Sequence, residues 1–247
     1  MKPVAEIIWH ETLDSTQEEV RRHISELANL SVTAAGYQTA GKGQRGNRWD
    51  SARGENLMFS ILLKPGSDGI PKIEARRQFI ISMISSLAVR DALEEYGIGS
   101  RIKWPNDIYV GNKKICGMLI ENQLSGNMLA SSIIGIGLNV NQTDFPSSLL
   151  NPTSMALRTG RSFKVEEVLD CVIKHFLKYL KEDAGALENL YHNSLFRLEE
   201  YADYVDTLTA APLRGKIKGI TEDALLILEL PDGTVRHFSF KEISYVL

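Results

Sequence analysis

The sequence predicts an α+β fold: a mixed, largely antiparallel sheet with helices, followed by a small C-terminal β-barrel. Several short strand-like runs follow one another between residues 101 and 140, and turn signals at Gly111-Asn112 and Gly126-Asn127 separate them as in consecutive hairpins. Apolar residues recur at helical spacing in other stretches of the chain. Grouped strands with helices kept apart from them favour α+β over a doubly wound parallel sheet.

Strands and helices alternate in the first part of the chain. Ser15 can cap a first helix and Glu18 can reach back to it, so this helix is expected to run to about residue 28. Pro71 is expected to open a long second helix that ends near residue 97. Strands are predicted over residues 4–9, 31–37, 57–63, 101–104, 108–110, 115–121 and 128–140, the last of them either continuous or broken.

The last third of the chain changes from helix to strand. Residues 165–196 show helical spacing, and a break near Gly185 predicts two helices. Short β runs return beyond residue 212, over 216–220, 224–230, 234–240 and 243–247. Pro231-Asp232-Gly233 marks a tight turn between two of them, and such a series of short strands indicates a small barrel.

Composition is that of an ordinary soluble protein. The 247 residues, 43% hydrophobic and 24% charged, suffice for one substantial core and a small satellite domain. A net charge of −3 supplies no field for nucleic acid, so any anion site must be local. The first residues lack a signal-peptide pattern, and no uncharged stretch is long enough to span a bilayer, so a cytoplasmic protein is expected.

The two cysteines and five histidines show no sequence pattern that indicates a disulfide framework, a metal site or catalysis. Cys116 and Cys171 cannot form a disulfide framework, and no spacing such as Cys-x-x-Cys indicates a metal site. Cys116 falls in an apolar run and is expected in the core. The histidines show neither metal-ligand spacing nor a Ser-His-Asp pattern, so none is assigned a role.

A long polar segment over residues 38–56 contains Gly41-Lys42-Gly43-Gln44-Arg45-Gly46-Asn47-Arg48-Trp49. Read from Gly36, it nearly matches a phosphate-binding P-loop, but Gly43 stands where a Ser or Thr must hold magnesium. Two interpretations remain. The segment is a solvated basic surface loop, or its backbone amides surround a phosphate or acyl-phosphate together with Lys42, Arg45 and Arg48.

A second polar run, Lys103-Trp104-Pro105-Asn106-Asp107, falls between two predicted strands. Trp104 alone would suit a core position, and Pro105 forces an extended chain before it. The three polar side chains of this run are costly to bury between strands unless they bind something. Two further runs follow, Lys113-Lys114-Ile115-Cys116-Gly117 and Gly135-Ile136-Gly137-Leu138-Asn139.

Taken in this order, the four runs resemble the catalytic domain of biotin protein ligases over about residues 13–154. The resemblance implies a class II synthetase-like catalytic domain over residues 1–205 and an SH3-like domain over 206–247. It implies that biotin is activated with ATP and Mg²⁺ to biotinyl-5'-adenylate and then joined to a lysine of a biotin carboxyl carrier protein. The enzyme would be a monomer or a homodimer, and the residues that hold the metal stay open.

The resemblance also assigns roles to the matched residues. Lys114 is the cation between the carboxylate of biotin and the α-phosphate, and Asp107 is the base or orienter for the incoming amine. Biotin contacts are implied for Ser15, Thr16, Gln17, Gln38, Gly41, Lys42, Gly43, Gln44, Lys114, Gly117, Gly135 and Gly137. Contacts with ATP or the adenylate are implied for Arg45, Arg48, Trp49, Lys103, Asn106 and Asn139.

Several of these residues also have a purely structural interpretation. The glycines suit either close approach of a ligand or ordinary β-bulges, and the Ser-Thr pair after Asp14 suits a helix cap. The loop departs from the Gly-Arg-Gly-Arg pattern common in the family. Lys42 keeps the charge without the arginine fork, and Gln44 loses the charge, so retention of the reactive intermediate is the property affected.

Two other functions compete with this interpretation. A lipoate or octanoate ligase or transferase would share the fold, but the Lys-Trp-Pro-Asn-Asp run favours biotin. A biotin-sensing DNA-binding repressor would need an N-terminal helix-turn-helix domain, and the catalytic pattern begins by Leu13, which leaves no room for one. Neither nucleic acid nor a membrane is therefore expected as a partner.

Overall fold

Seven strands form a mixed sheet in a computed structural model that describes residues 6–247 and, for Arg45, the backbone alone. Its strands are β1 (Ile7–His10), β2 (Val32–Ala35), β3 (Leu57–Leu63), β4 (Arg101–Lys103), β5 (Asp107–Val110), β6 (Lys113–Ser125) and β7 (Met128–Leu138). They lie in the order β1-β2-β3-β7-β6-β5-β4, with β1 and β2 parallel and the other neighbours antiparallel. The predicted α+β class with a largely antiparallel sheet is confirmed.

Helices cover both faces of this sheet. They are α1 (Thr16–Arg22), α2 (Ile80–Glu95), α3 (Met155–Thr159), α4 (Val165–Tyr179) and α5 (Ala184–Asn193). Side chains alternate along β3: Ile61 belongs to the large apolar cluster that includes Ile84 of α2, whereas Leu62 packs against Val20 of α1. Both faces are thus covered, and β3 is buried along its whole length. Within residues 6–247, no helix is long and apolar enough to cross a membrane.

A second, antiparallel sheet of five strands follows the helices. Its strands are β8 (Tyr201–Asp206), β9 (Pro212–Ile220), β10 (Leu226–Glu229), β11 (Val235–Phe238) and β12 (Ile243–Tyr245), in the order β11-β10-β9-β8-β12. The buried side chains of Tyr204, Ile217 and Phe238 belong to the same apolar cluster as the core of the first sheet. Trp104 adds a polar link, because its Nε1 donates to the carbonyl of Ala224 at 3.1 Å.

The first helix is shorter than predicted. It ends at Arg22 rather than near residue 28, and Ser15 makes no capping hydrogen bond through its side chain. Ile24 and Leu27 nevertheless pack against Val20 and the sheet, because hydrogen-bonded turns follow the helix. The spacing of the apolar residues up to Leu27 therefore indicates contact with the sheet and not a continuous helix.

The second helix begins at Ile80 and not at Pro71. The backbone N–H of Ala75 donates to the carbonyl of Asn127 at 2.8 Å, which ties the intervening segment to the β6–β7 turn, and this segment contains only a short 3-10 helix, Ala75–Arg77, before α2. β7 is continuous, and α3 and β8 were not predicted. The second sheet begins at Tyr201, a few residues before the predicted boundary between the two domains at 205/206. That domain boundary stays a prediction. Residues 4 and 5 of the predicted first strand lie outside the described residues.

The predicted division of residues 165–196 into two helices near Gly185 is correct. The break lies at residues 180–183, so Gly185 itself is the second residue of α5. Asp183 causes it by capping α5, since its Oδ1 accepts hydrogen bonds from the N–H groups of Gly185 at 2.9 Å and Ala186 at 3.3 Å.

Asp183→Ala should therefore lower the free energy of unfolding by about 1 kcal/mol, the usual contribution of an N-cap side chain. Chemical denaturation monitored by circular dichroism measures this change. Lys181→Ala, two residues earlier and equally exposed, is the matched control and should be near neutral. Equal effects of the two substitutions would contradict the capping role.

Candidate active site

Three glycines open a groove on the sheet face that carries α1. β6 and β7 pair Gly117 directly with Gly137, and Gly135 lies two residues before it on β7. Side chains alternate along a strand, so Gly135 and Gly137 share the face of Ile133, which packs against α1. The absence of side chains at these three positions leaves a shallow channel across two strands.

Side chains of the protein itself occupy much of this groove. A Cβ on Gly137 would lie 2.4 Å from the ring of Trp49, and one on Gly135 would lie 2.3 Å from Oε1 of Gln17. Both distances are too short for real atoms, so any other residue would displace the Trp49 ring or the end of the Gln17 side chain. A ligand was expected to approach the backbone closely at these glycines. In the structure the side chains of Trp49 and Gln17 make that close approach, and a ligand would lie against them.

A cleft of about 740 Å³ lies over the groove. Most of the predicted site residues line it, namely Ser15, Thr16, Gln17, Gln38, Lys42, Gly43, Gln44, Arg48, Trp49, Asp107, Lys114, Gly117, Gly135, Gly137 and Asn139. Gly41, Lys103 and Asn106 do not line it. The side chain of Arg45 lies outside the described part of the chain.

One end of the cleft is a buried polar pocket at the start of α1. Gln38 Oε1 accepts a hydrogen bond from the N–H of Thr16 at 2.7 Å, and the Thr16 hydroxyl lies 2.9 Å from that of Ser60. Gln17 Nε2 donates to Glu121 Oε2 at 2.7 Å. Ser15 is a largely buried residue that lines the cleft, and within residues 6–247 its hydroxyl bonds to no other group, so it remains available to a ligand.

A β-bulge turns Lys114 toward the cleft. The pairing of β5 with β6 slips between Ile108 and Tyr109, so that Ile115 is one extra residue on β6. Without that extra residue, alternation would place Lys114 on the face opposite to Gly117. Instead, Nζ of Lys114 lies 2.9 Å from the position that a Cβ on Gly117 would take. Register alone therefore selects this lysine for the cleft.

The ammonium of Lys114 is held in place from two sides. Its Nζ lies 2.8 Å from Oδ1 of Asp107 and 5.9 Å from the ring centre of Trp49. The Lys114 backbone bonds at 2.8 Å to the carbonyl of Asn151 and at 2.9 Å to the N–H of Thr153. Because the Lys114 and Asp107 side chains remain 32% and 23% exposed, a ligand in the cleft can reach both.

Gln44 fastens the glycine-rich loop to the sheet. Its Nε2 donates to Oδ1 of Asn106 and to the carbonyl of Met118, each at 3.0 Å. Both partners are acceptors, so both amide protons are used within the protein. In this geometry, residue 44 contributes two hydrogen-bond donors, and neither donor requires a positive charge.

The cations of the same loop also have partners in the protein. Lys42 forms an ion pair with Glu18, and this bond is the largest cause of the lowered pKa of the Glu18 carboxyl. Arg48 donates to the carbonyl of Thr39 at 3.0 Å. The loop is therefore anchored over the cleft by several contacts, which the interpretation as a free surface loop did not include.

Lys103 and Asn106 lie beside the cleft. The Lys103 ammonium is 5.3 Å from the ring centre of Tyr109 and 4.6 Å from that of Tyr245, at the junction of the two sheets. Burial lowers the pKa of Lys103. This position does not support the predicted contact of Lys103 with ATP. Asn106 meets the cleft through its bond with Gln44.

Sequence reasoning missed the segment over residues 145–152, which lines the cleft with apolar side chains. Leu150 at its tip is 99% exposed. Asn139, which was predicted, supports this segment because its Nδ2 donates to the carbonyl of Thr153 at 2.9 Å. The available signal was an irregular run of Leu and Pro residues directly after the last glycine motif.

This arrangement suits a long ligand with distinct parts. The pocket at Ser15 offers hydrogen bonds to a small polar group, and Lys114 can neutralise a carboxylate or phosphate. Trp49 presents a flat ring, and its buried Nε1 has no hydrogen-bond partner in the part of the chain that the structure describes. A Cβ on Gly137 would lie 2.7 Å from this nitrogen, so Nε1 is packed against the sheet, and a ligand would meet the ring of Trp49.

Comparison with known proteins agrees with this geometry. Residues 9–139 match the model of the biotin/lipoate A/B protein ligase family. The chain is 32% identical to the bifunctional ligase/repressor BirA of Bacillus subtilis, covering 94% of this chain and 72% of that protein. It is 28% identical to the biotin–[acetyl-CoA-carboxylase] ligase of Paracoccus denitrificans, covering 89% and 92% of the two chains.

A solved structure is similar over nearly its full length. The biotin protein ligase of Aquifex aeolicus in complex with biotin and ATP superimposes with a TM-score of 0.78 at 28% identity, covering 97% of each chain. The family model spans more than half of the present chain and includes the glycine loop, the polar run and the Lys114 strand. The chain therefore belongs to the biotin/lipoate A/B protein ligase family.

Proposed function

We propose that this chain is an ATP-dependent biotin protein ligase that joins biotin to a lysine of a biotin carboxyl carrier protein. The observation that carries the proposal is the Lys114–Asp107 pair. A β-bulge turns Lys114 into the cleft, and the Ser15 pocket lies at one end of the same cleft. The ligase names of the similar proteins support biotin over lipoate as the substrate. We place the enzyme in the cytoplasm, as a monomer or homodimer that binds neither nucleic acid nor membrane.

In the first step, a carboxylate oxygen of biotin attacks the α-phosphorus of ATP, and the bond to the β-phosphate breaks to release pyrophosphate. The two reacting groups are both negative and repel each other. The Lys114 ammonium, held by Asp107, lies where it can contact both and stabilise the charge that develops. The ureido ring of biotin would bind at the other end, with Ser15 and Thr16 as its partners.

Magnesium would enter with ATP and neutralise its phosphates. Oxygen atoms are the ligands that Mg²⁺ prefers, and the carboxylates that line the cleft are Asp50 and Asp107. Asp107 is already paired with Lys114, whereas Asp50 is exposed. These two residues suit a partly hydrated ion bound mainly through the nucleotide.

In the second step, the ε-amine of the carrier lysine attacks the biotinyl carbonyl, and the bond to the phosphate of AMP breaks. A free lysine has a pKa of about 10.4, so its amine must lose a proton first. Asp107 is the carboxylate nearest to Lys114 in the cleft and can orient the amine and accept that proton.

A second cleft offers a route for this amine. It has a volume of about 540 Å³, lies between the two sheets, and shares Gln44 and Leu119 with the first cleft. Asn106, next to Asp107, and Asp223, in the turn between β9 and β10, line it. We propose that the carrier lysine enters here, so the second sheet would contact the carrier domain.

The direct test is incubation with biotin, Mg²⁺-ATP and a biotin carboxyl carrier domain, followed by mass spectrometry of the carrier. We expect the mass to increase by one biotinyl group, and only when its target lysine is present. Lipoate in place of biotin is the matched control. Transfer of lipoate in preference to biotin, or no transfer of either by folded protein, would contradict the proposal.

Lys114→Ala should reduce adenylate formation by about 10² to 10³, the effect of losing one donor aimed at developing charge. Exchange of pyrophosphate into ATP measures the first step alone. Lys113→Ala is the control, because Lys113 is exposed on the neighbouring position and forms no salt bridge within residues 6–247. Similar losses from both substitutions would refute the assignment of Lys114.

Gln44→Glu should weaken retention of the adenylate, because a carboxylate cannot donate to Asn106 and would face the carbonyl of Met118. Losing two hydrogen bonds costs about 1 to 3 kcal/mol, so escape should rise about fivefold or more. Gln44→Arg keeps two N–H donors and should retain the adenylate at least as well as the native residue. Biotinylation of an unrelated protein, at matched rates of adenylate synthesis, reports escape, and equal labelling by the two variants would exclude this role.

A further inference from the structure

A cluster of three potential metal ligands lies on the helices, apart from the active cleft. Glu95 is the last residue of α2, and Cys171 and His175 stand four residues apart on one face of α4. One carboxylate oxygen, the thiol sulfur and an imidazole nitrogen all lie within 4.8 Å of one another. None of the three residues lines the active cleft, and the ligase reaction gives them no task.

We propose that Glu95, Cys171 and His175 form a binding site for a divalent transition-metal ion of the zinc type. Thiolate, imidazole and carboxylate together are typical ligands of zinc, whereas magnesium and calcium prefer oxygen alone. Three protein ligands leave a fourth position for water. Such an ion would bridge α2 and α4, which pack against each other beside the sheet.

The distances between the donor atoms suit a tetrahedral ion. Zinc bonds of about 2.0 to 2.3 Å place neighbouring ligands about 3.3 to 3.7 Å apart. Sγ of Cys171 lies 3.4 Å from Oε2 of Glu95, and Nε2 of His175 lies 2.7 Å from Oε1. These two distances involve different oxygens of Glu95, so its half-exposed carboxylate must turn to bind through one of them, and its separation from His175 must widen.

The two ligands on α4 are already oriented, and the third gives access from solvent. Cys171 and His175 are each only 9% exposed, and the helix fixes their spacing. Glu95 is half-exposed, and its carboxylate accepts bonds from Lys174, His175 and Cys171, so it already faces the other two ligands. The thiol of Cys171 donates to Glu95, so a metal ion must displace the thiol proton.

Two neighbouring groups should limit the affinity. Nζ of Lys174 lies 2.7 and 2.8 Å from the two oxygens of Glu95, so an incoming ion must displace this ammonium. Lys174 is largely exposed and can turn into solvent. His175 Nδ1 is buried and, in the described chain, has no partner to accept its proton when Nε2 binds metal. We therefore expect an exchangeable site and not a permanently loaded one.

Titration of the intact protein with Co²⁺ tests the site without reference to ligase activity. We expect one equivalent to give a sulfur-to-cobalt charge-transfer absorption that Zn²⁺ abolishes by displacement. Cys171→Ser should lose this absorption, whereas Cys116→Ala, the matched change at the other buried thiol, should keep it. His175→Gln should weaken Co²⁺ binding by about tenfold or more, because losing even an outer-shell partner of a metal ligand typically costs about that much.

Lys174→Met provides a test that does not remove a ligand and changes only an exposed side chain. Without the competing ammonium, Co²⁺ should bind about two- to fivefold more tightly, the range expected for a measurable exposed ion pair. Unchanged affinity would show that Glu95 does not bind the ion. Absence of the absorption in the native protein, or its survival in Cys171→Ser, would overturn the proposal and leave the cluster as an ion-pair network that joins α2 to α4.

Discussion

The alternation of side chains along β6 and β7, and the single residue that interrupts it, determines the whole cleft. On one face of these strands, Ile134 and Ile136 enter the core; on the other, Gly135 and Gly137 leave room for Gln17 and Trp49. The bulge at β6 then brings a lysine from the core-facing register onto the open face. A packed core and a charged site can therefore occupy opposite sides of the same two strands.

The polar run before β5 connects this site to the second sheet. Asp107 faces Lys114 in the cleft, whereas Trp104 bonds to Ala224 and Lys103 lies over the ring of Tyr245. Contact with an aromatic ring contributes about 0.5 to 2 kcal/mol and offsets part of the cost of burying that ammonium. The sequence suggests that these polar residues are costly to bury between two strands. In the structure, they form contacts in the cleft and at the junction of the two sheets.

Sequence reasoning succeeded where one local pattern decides the structure. β3 has the predicted limits because every residue from 57 to 63 suits a strand buried on both faces, and Cys116 lies in the core as expected. It failed where distant contacts decide. The end of α1, the bulge at Ile115 and the donor role of Gln44 all depend on pairing partners far along the chain, which periodicity and propensity do not specify.

The apolar cluster shared by the two sheets has a consequence for how the protein loses its structure. Tyr204, Ile217 and Phe238 belong to the same cluster as Ile102 and Ile108, so buried apolar contacts join the C-terminal sheet to the rest, even though the second cleft lies beside them. Units that share buried surface melt together, whereas units joined by a wet boundary melt one at a time. Thermal unfolding should thus be a single cooperative transition, and the C-terminal sheet should not fold or unfold independently of the rest of the chain.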